Sequence, residues 1–440
     1  VNNKFKRLFL AMTMLILTVG VLAACSGQKT EGSSGEAAQT QAEGAEGSKG
    51  KTTVEFWHSA GGKTGDFLND AIERFNESQD EIEVVGTFQG SYDDNVTKLQ
   101  QGVAAGTAPD VTMLERAYVQ MFAESDVLED LQPHMEKTNL NVDDFIPGLM
   151  GHSIFNEQLV SLPLNRSTPI LHVNKTMLDE QGLEIPQTWA ELKDVANALV
   201  VAENGEFERY GLTMPYDTWY PIAMITQAEG KFFNDEGTSI GFDQGEGVKV
   251  FEFLKELQST GALYYPPAKD SGNIANQMFV SGKVGLMFQS TGAIGGLLDS
   301  ADFDYVTALL PKDEVYAAPT GGANIAMMKD SKNKEAAWEF VDWMMTDAGG
   351  SQQFIIDTGY LPITETMAKS PEVQAVWDEE PLRKTGYEQL EYAIDTNKHV
   401  AWPQVMQEFF KAIEAMMYDD EPIQPTLDAF KKEAERLLNS

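Results

Sequence analysis

The chain has 440 residues, with Lys+Arg 32 against Asp+Glu 68 and a formal net charge of −36. Such acidity excludes nucleic acid as a partner, because a phosphate backbone needs a basic face, and it favours solubility and repulsion between neighbours; a monomer is expected. A single cysteine excludes a disulfide framework, and the five histidines, His58, His134, His152, His172 and His399, show no pairing at i,i+3 or i,i+4, so neither a metal site nor a cofactor is expected.

Lys4, Lys6 and Arg7 precede an apolar run, Leu8 to Val21, which ends in small residues before Cys25. This is the layout of an export signal, and the run is shorter than the roughly 20 residues a membrane-crossing helix needs. Leu22-Ala23-Ala24-Cys25 resembles the lipobox of bacterial lipoproteins, which implies cleavage after residue 24 and a lipid on Cys25. Residues 26–51 are Gly, Ser, Ala, Glu and Gln-rich without aromatic or branched apolar side chains, so burial cannot offset their chain entropy. The expectation is a leash with a reach of about 25–30 Å, holding an extracytoplasmic body near the membrane.

The remaining roughly 390 residues suffice for two lobes with sizeable cores. "TTVEFWHS" reads as a strand, and "TGDFLNDAIERFNESQ" as a helix with Phe67, Leu68, Ala71, Ile72 and Phe75 on one face and Thr64 as its cap. "EIEVVGTF" is a second strand, "DDNVTKLQQGVAAG" a helix and "PDVTML" a third strand. A βαβαβ order builds a parallel sheet whose ligands sit beyond the carboxyl ends of the strands, which is where Trp57, His58, Tyr92 and Glu115 fall. For Trp57 and His58 a ligand contact is weighed evenly against a purely structural place, Trp57 in the core and His58 as a satisfied surface residue. Glu115 directly follows a buried strand, and an acid so placed needs a partner.

Farther on, Thr188 and Glu191 form a capping box, and "VKVFEFLKELQSTG" is an amphipathic helix. "SGKVGLMFQSTGAIGGLL" reads as a strand that breaks at Ser290-Thr291-Gly292 and restarts as a helix. That helix start is a receptor for a phosphate or sugar oxygen, unless Ser290 or Thr291 merely caps it. Trp338, Trp343, Met344 and Met345 lie on a helical core stripe. Gly237-Thr238-Ser239-Ile240-Gly241 matches the nucleophile elbow G-x-S-x-G, but polar hairpin-like flanks replace the strand and helix that motif requires. "GGKTG" has Trp57 where a phosphate loop needs its first glycine. No catalytic constellation emerges, so the chain is not read as an enzyme.

"VEFWHS", "GSYDDN", "APDVTMLE", "LNRSTPILHVNK", "PQTWAEL", "GGANIAM" and "TGYLPIT" occur in the order that resembles the extracellular solute-binding proteins of sugar-type ABC transporters, most of all the sn-glycerol-3-phosphate-binding ones. The resemblance implies an α/β, two-lobed periplasmic-binding-protein-like fold, each lobe a mostly parallel sheet flanked by helices and joined by a hinge. The lobes are expected at 53–170 plus 326–368 and at 171–325 plus 369–440. It also implies capture of sn-glycerol 3-phosphate or a glycerophosphodiester for a membrane permease, through Tyr92, Glu115, Ser167, Trp219, Ser290, Gly322, Tyr360 and Lys398. Glu115 would accept from glycerol hydroxyls, Trp219 would form an aromatic wall, and Ser167, Ser290, Gly322 and Tyr360 would donate, mostly to phosphate. Tyr216 stands where a second tryptophan is usual, and Lys398 where an arginine is, keeping the charge without the planar fork. Arg166 beside Ser167 is a further candidate cation. A mono- or oligosaccharide is the alternative ligand; a hydrolase using Ser239 or paired carboxylates and a lipid-anchored adhesin are the other classes.

Overall fold

The computed structural model describes residues 50–138, 140–242, 244–394 and 399–440. Cys25, the signal segment, most of the leash and Lys398 lie outside the described residues. The first three strands are Thr52–His58, Ile82–Phe88 and Val111–Glu115, with helices Gly62–Ser78 and Tyr92–Ala105 between them. Thr52–His58 pairs in parallel with both other strands and lies between them, the parallel arrangement that βαβ units build. Helix Gly62–Ser78 buries Leu68, Ala71, Ile72 and Phe75 at helical spacing. Thr64 lies inside this helix instead of capping it, since Gly61 is the N-cap and contributes no side-chain bond.

Two sheets organise the body. The first runs Ile82–Phe88, Thr52–His58, Val111–Glu115, Ala323–Met327, Leu162–Pro163; the second runs Leu263–Tyr264, Glu206–Thr213, Val284–Ser290, Pro169–Asn174, Tyr305–Ala308. The first has two parallel and two antiparallel neighbouring pairs; the second, which also carries Val201–Glu203 antiparallel to Glu206–Thr213, has two parallel and three antiparallel, a larger antiparallel share than the opening βαβ order implied. The cause is the route of the chain: strands that enter after crossing from the other sheet run in the opposite direction. Separate cores back the two sheets. Phe56, Phe75, Phe340, Met344 and Phe354 fill the first, while Leu192, Phe251, Phe409, Ile413 and Phe430 fill the second.

The crossings are held by one buried cation. After Pro163 the chain leaves the first sheet through 164–168, and it returns through 319–322 to Ala323. These segments run antiparallel, with Gly321 N–H donating to Ser167 O at 2.7 Å and Ser167 N–H to Gly321 O at 3.3 Å. Arg166 is 1 % exposed; its Nε donates to Gly321 O (2.9 Å), Nη1 to Leu149 O (3.1 Å) and Asn324 Oδ1 (3.0 Å), and Nη2 to Thr320 Oγ1 (3.0 Å). Leu361 N–H donates to Arg166 O at 2.8 Å, which ties in the segment leading to helix Pro371–Glu379. Val373 and Trp377 of that helix pack in the first core. Gly322 sits at φ +86° with Asn165 O where a Cβ would be, at 1.9 Å, so only glycine lets the two crossings approach this closely.

Removing the guanidinium leaves buried neutral acceptors unsatisfied at about 1–3 kcal/mol each, so a total loss of about 3–5 kcal/mol is expected. Arg166→Met is therefore expected to lower the urea unfolding free energy by about that much, and Arg166→Lys by less. A loss under about 1 kcal/mol for the methionine variant would show that the network does not hold the crossings.

Candidate functional site

Beyond the carboxyl ends of the first sheet, and facing the second, lies a cavity of about 460 Å³. From the first side come Tyr92, Asp93, Glu115, Arg116 and Tyr118; from the second come Asp217, Trp219, Ser290, Trp402, Met406 and Phe410; Ser167, Gly321 and Gly322 of the crossings form its back. Tyr360 completes the rim. The seven described residues among the eight principal candidates thus share one cavity.

Each is fixed by local structure. Ser91 and Asp94 form a capping box, Asp94 N–H to Ser91 Oγ at 3.2 Å and Ser91 N–H to Asp94 Oδ2 at 3.0 Å, which sets Tyr92 at the first position of its helix. Asn165 Nδ2 donates to Tyr92 Oη at 3.1 Å while its Oδ1 accepts from Ala323 N–H at 2.8 Å, so the crossing also orients the phenol. Glu115 ends its strand and accepts from Ala117 N–H at 2.9 Å. Trp219 opens helix Trp219–Gln227, and Asp217 Oδ1 accepts its backbone N–H at 2.9 Å. A Cβ on Gly321 would fall 2.5 Å from the Trp219 ring, so the indole rests on bare backbone. Its Nε1–H is buried and makes no hydrogen bond.

Ser290 does what the capping alternative proposed, its Oγ accepting from Gly292 N–H at 3.1 Å, and it also lines the cavity. Only a 3₁₀ turn, Thr291–Ala293, and the short helix Ile294–Leu298 come after it, so the helix-terminus receptor expected there is not formed. Thr291 is fully buried against Gly386, away from the cavity. Arg166 is a corrected candidate as well: its guanidinium is committed to the crossings. His58 is 2 % exposed between Phe56 and Phe88, and Trp57 packs with the Val96–Leu99 core; neither lines the cavity. Tyr216 stands behind Phe410, donating to its carbonyl at 2.8 Å and meeting Tyr265 edge-on and Tyr418 at a tilt, so it supports the wall without forming it.

Residues missed from the sequence carry most of the charge. Asp93 and Asp217 join Glu115, and Arg116 is the one cation among the described lining residues. Arg116 Nε lies 3.9 Å from Glu115 Oε1, and its Nη1 meets His152 Nε2 at 3.0 Å. Asp93 accepts from the Tyr118 hydroxyl. Burial raises the pKa of Glu115, an effect that Arg116, the Ala117 N–H and Arg166 reduce. Burial likewise raises that of Asp217 against the Trp219 N–H. The legible signal was the i,i+4,i+8 row Trp402, Met406, Phe410, an apolar stripe whose cavity-facing edge only packing could reveal.

Residues 70–381 match the family of bacterial extracellular solute-binding proteins. The chain belongs to that family. The solute-binding protein is 26 % identical over 354 residues to the sn-glycerol-3-phosphate-binding periplasmic protein UgpB of Salmonella typhimurium, covering 75 % of this chain and 78 % of that one. Its two-lobed fold superposes on UgpB from Mycobacterium tuberculosis in complex with glycerophosphocholine and on the GacH receptor of Streptomyces glaucescens, each with a TM-score of 0.80 at 21 % identity, over 89 % of this chain and 99 % of the other. It is thus a solute-binding protein of a sugar-type ABC importer, a component that delivers small ligands to a permease. Among the described residues no helix is long and apolar enough to cross a membrane, and no cluster of three or more His, Cys, Asp or Glu is poised for a metal. Ser239 sits after a turn and donates to Glu435, with no strand-to-helix elbow around it.

A carboxyl whose folded pKa exceeds its unfolded value stabilises the fold fully below the ordinary carboxylate range, and that contribution is lost as pH rises through the raised value. Glu115→Gln, without ligand, is therefore expected to melt higher than the parent at about pH 7 and to lose that advantage toward about pH 4. A constant difference across the range would contradict the burial effect. Gly292→Ala is expected to weaken ligand binding, since its Cβ would lie 2.4 Å from Tyr360 Cε1 and push the phenol off its place; calorimetry on the variant checks this.

Proposed function

We propose that this protein captures a glycerophosphodiester, or with lower affinity sn-glycerol 3-phosphate, in the cavity between its sheets. The observation carrying this is the convergence of an acid, a cation, hydroxyls and an indole on one cavity: Glu115, Arg116, Ser167, Ser290, Tyr360 and Trp219. Glu115 accepts from glycerol hydroxyls, Trp219 covers the carbon chain, and Arg116 with the hydroxyls holds the phosphate. The unbonded indole N–H of Trp219 is a further donor that a ligand oxygen would satisfy. Lys398 adds a second cation in this proposal, Cys25 bears a lipid, and residues 26–51 tether a monomeric body to the cell membrane.

The charge balance ranks the phosphates. A monoester carries about −1.5 to −2 at pH 7, a diester one charge, and Asp93, Glu115 and Asp217 oppose both. The single charge is easier to hold. The same acid excess supports a second reading, a neutral mono- or oligosaccharide stacked on Trp219 and Trp402; GacH is described in complex with acarbose.

A thermal-shift screen of the body from residue 50 decides between them, since a ligand at 100 times its Kd stabilises the folded state by about 2.7 kcal/mol. Glycerophosphodiesters are expected to shift the melting temperature more than glycerol 3-phosphate, and maltose not at all. Maltose alone producing a shift would overturn the phosphate reading. Glu115→Gln is expected to weaken the diester about 10- to 100-fold, the worth of a charged hydrogen bond.

A further inference from the structure

A second space adjoins the first. A groove of about 800 Å³ runs between Gly61–Phe67 on the first side and the face of helix Ser271–Val280 on the second. The two spaces share two lining residues, Ser290 and Tyr360, one from each sheet's side and both carrying a hydroxyl. These two residues mark where the spaces adjoin.

The two linings differ in kind. The first is aromatic and acidic. The groove offers mainly amides and hydroxyls, Thr64, Asn276, Gln277, Gln289 and Ser300, with Asp270, which accepts from Asn273 Nδ2 at 2.6 Å, as its one acid and Phe67 as its one aromatic residue besides the shared Tyr360. Lys63 at its rim is already paired with Asp299 across the opening, at 2.8 Å. Gln289 Nε2 donates to Asn276 Oδ1 at 3.0 Å, which fixes that amide and turns its NH₂ to use as a donor. Gln277 on the next position is exposed. A quaternary ammonium group is best held by several aromatic faces around it, and the groove has only Phe67 and the shared Tyr360. Neutral amides and hydroxyls suit a polyhydroxylated alcohol, each group of which both donates and accepts.

We propose that this groove is a second subsite, and that it takes a hydroxylated alcohol esterified to the phosphate, with the phosphate between Ser290 and Tyr360 and the glycerol in the aromatic cavity. This rests on the phosphodiester reading. The ligand is then a bipartite diester whose two alcohols occupy chemically different compartments.

Calorimetric titration with two diesters of equal phosphate charge tests it: glycerophosphoinositol, with a hydroxylated head, and glycerophosphocholine, without one. The parent protein is expected to bind glycerophosphoinositol at least about 10-fold more tightly, from a few added hydrogen bonds. In Asn276→Leu and in Gln277→Leu, two half-exposed or exposed positions where the fold tolerates change, the ratio of the two affinities is expected to fall toward one; unchanged melting temperatures without ligand certify folding. Equal affinities in the parent, or a ratio unmoved by both substitutions, would overturn the subsite while leaving the phosphodiester reading intact. If neither diester binds and maltotriose does, the reading itself falls and the subsite with it.

Discussion

The architecture depends on a guanidinium placed where two chain crossings meet. An arginine withdrawn from water is tolerated only when its donors are answered, and Arg166 finds carbonyls, an amide and a hydroxyl from two separate stretches of chain, around 149 and over 320–324. Two of those four acceptors, Thr320 and Gly321, belong to the segments that join the sheets. The same segments supply Ser167, Gly321 and Gly322 to the cavity and, through Asn165, orient Tyr92. Holding the joint and shaping the site are therefore one task, carried by neighbouring residues.

The cleft repeats on a small scale the tension of the whole chain. A strongly acidic protein places three carboxylates around its cavity and one arginine among the described lining residues. Enclosure makes Glu115 and Asp217 harder to ionise, and Arg116 partly reverses this for Glu115. Such a site rewards ligands rich in hydroxyls and poor in negative charge. Under the diester reading proposed above, the phosphate is met by hydroxyls and backbone more than by a positive field.

Glycine governs how closely the parts approach. Gly321 accepts the Trp219 ring, Gly292 the Tyr360 ring, and Gly322 the carbonyl of Asn165 at a positive φ. Two of the aromatic groups of the cleft thus lie directly on backbone, where no rotamer change of a neighbour can displace them. The site's rigidity comes from absent side chains as much as from present ones.

Sequence by itself determined what depends on neighbours along the chain: the βαβαβ start, the Thr188–Glu191 box, the core stripe of Trp338 and Met344, and the polar flanks that deny Ser239 an elbow. It also placed Tyr92 and Glu115 at strand ends, because side-chain position beyond a parallel sheet is set by order alone. Tertiary structure decided where charges point. Arg166 and Thr291 are turned inward, whereas Arg116, Asp93 and Asp217, with no local pattern to distinguish them from other surface charges, are brought to the cavity from opposite sides. A charge is read correctly only with its surroundings, since the energy that fixes it is the exchange of water for partners distant in sequence.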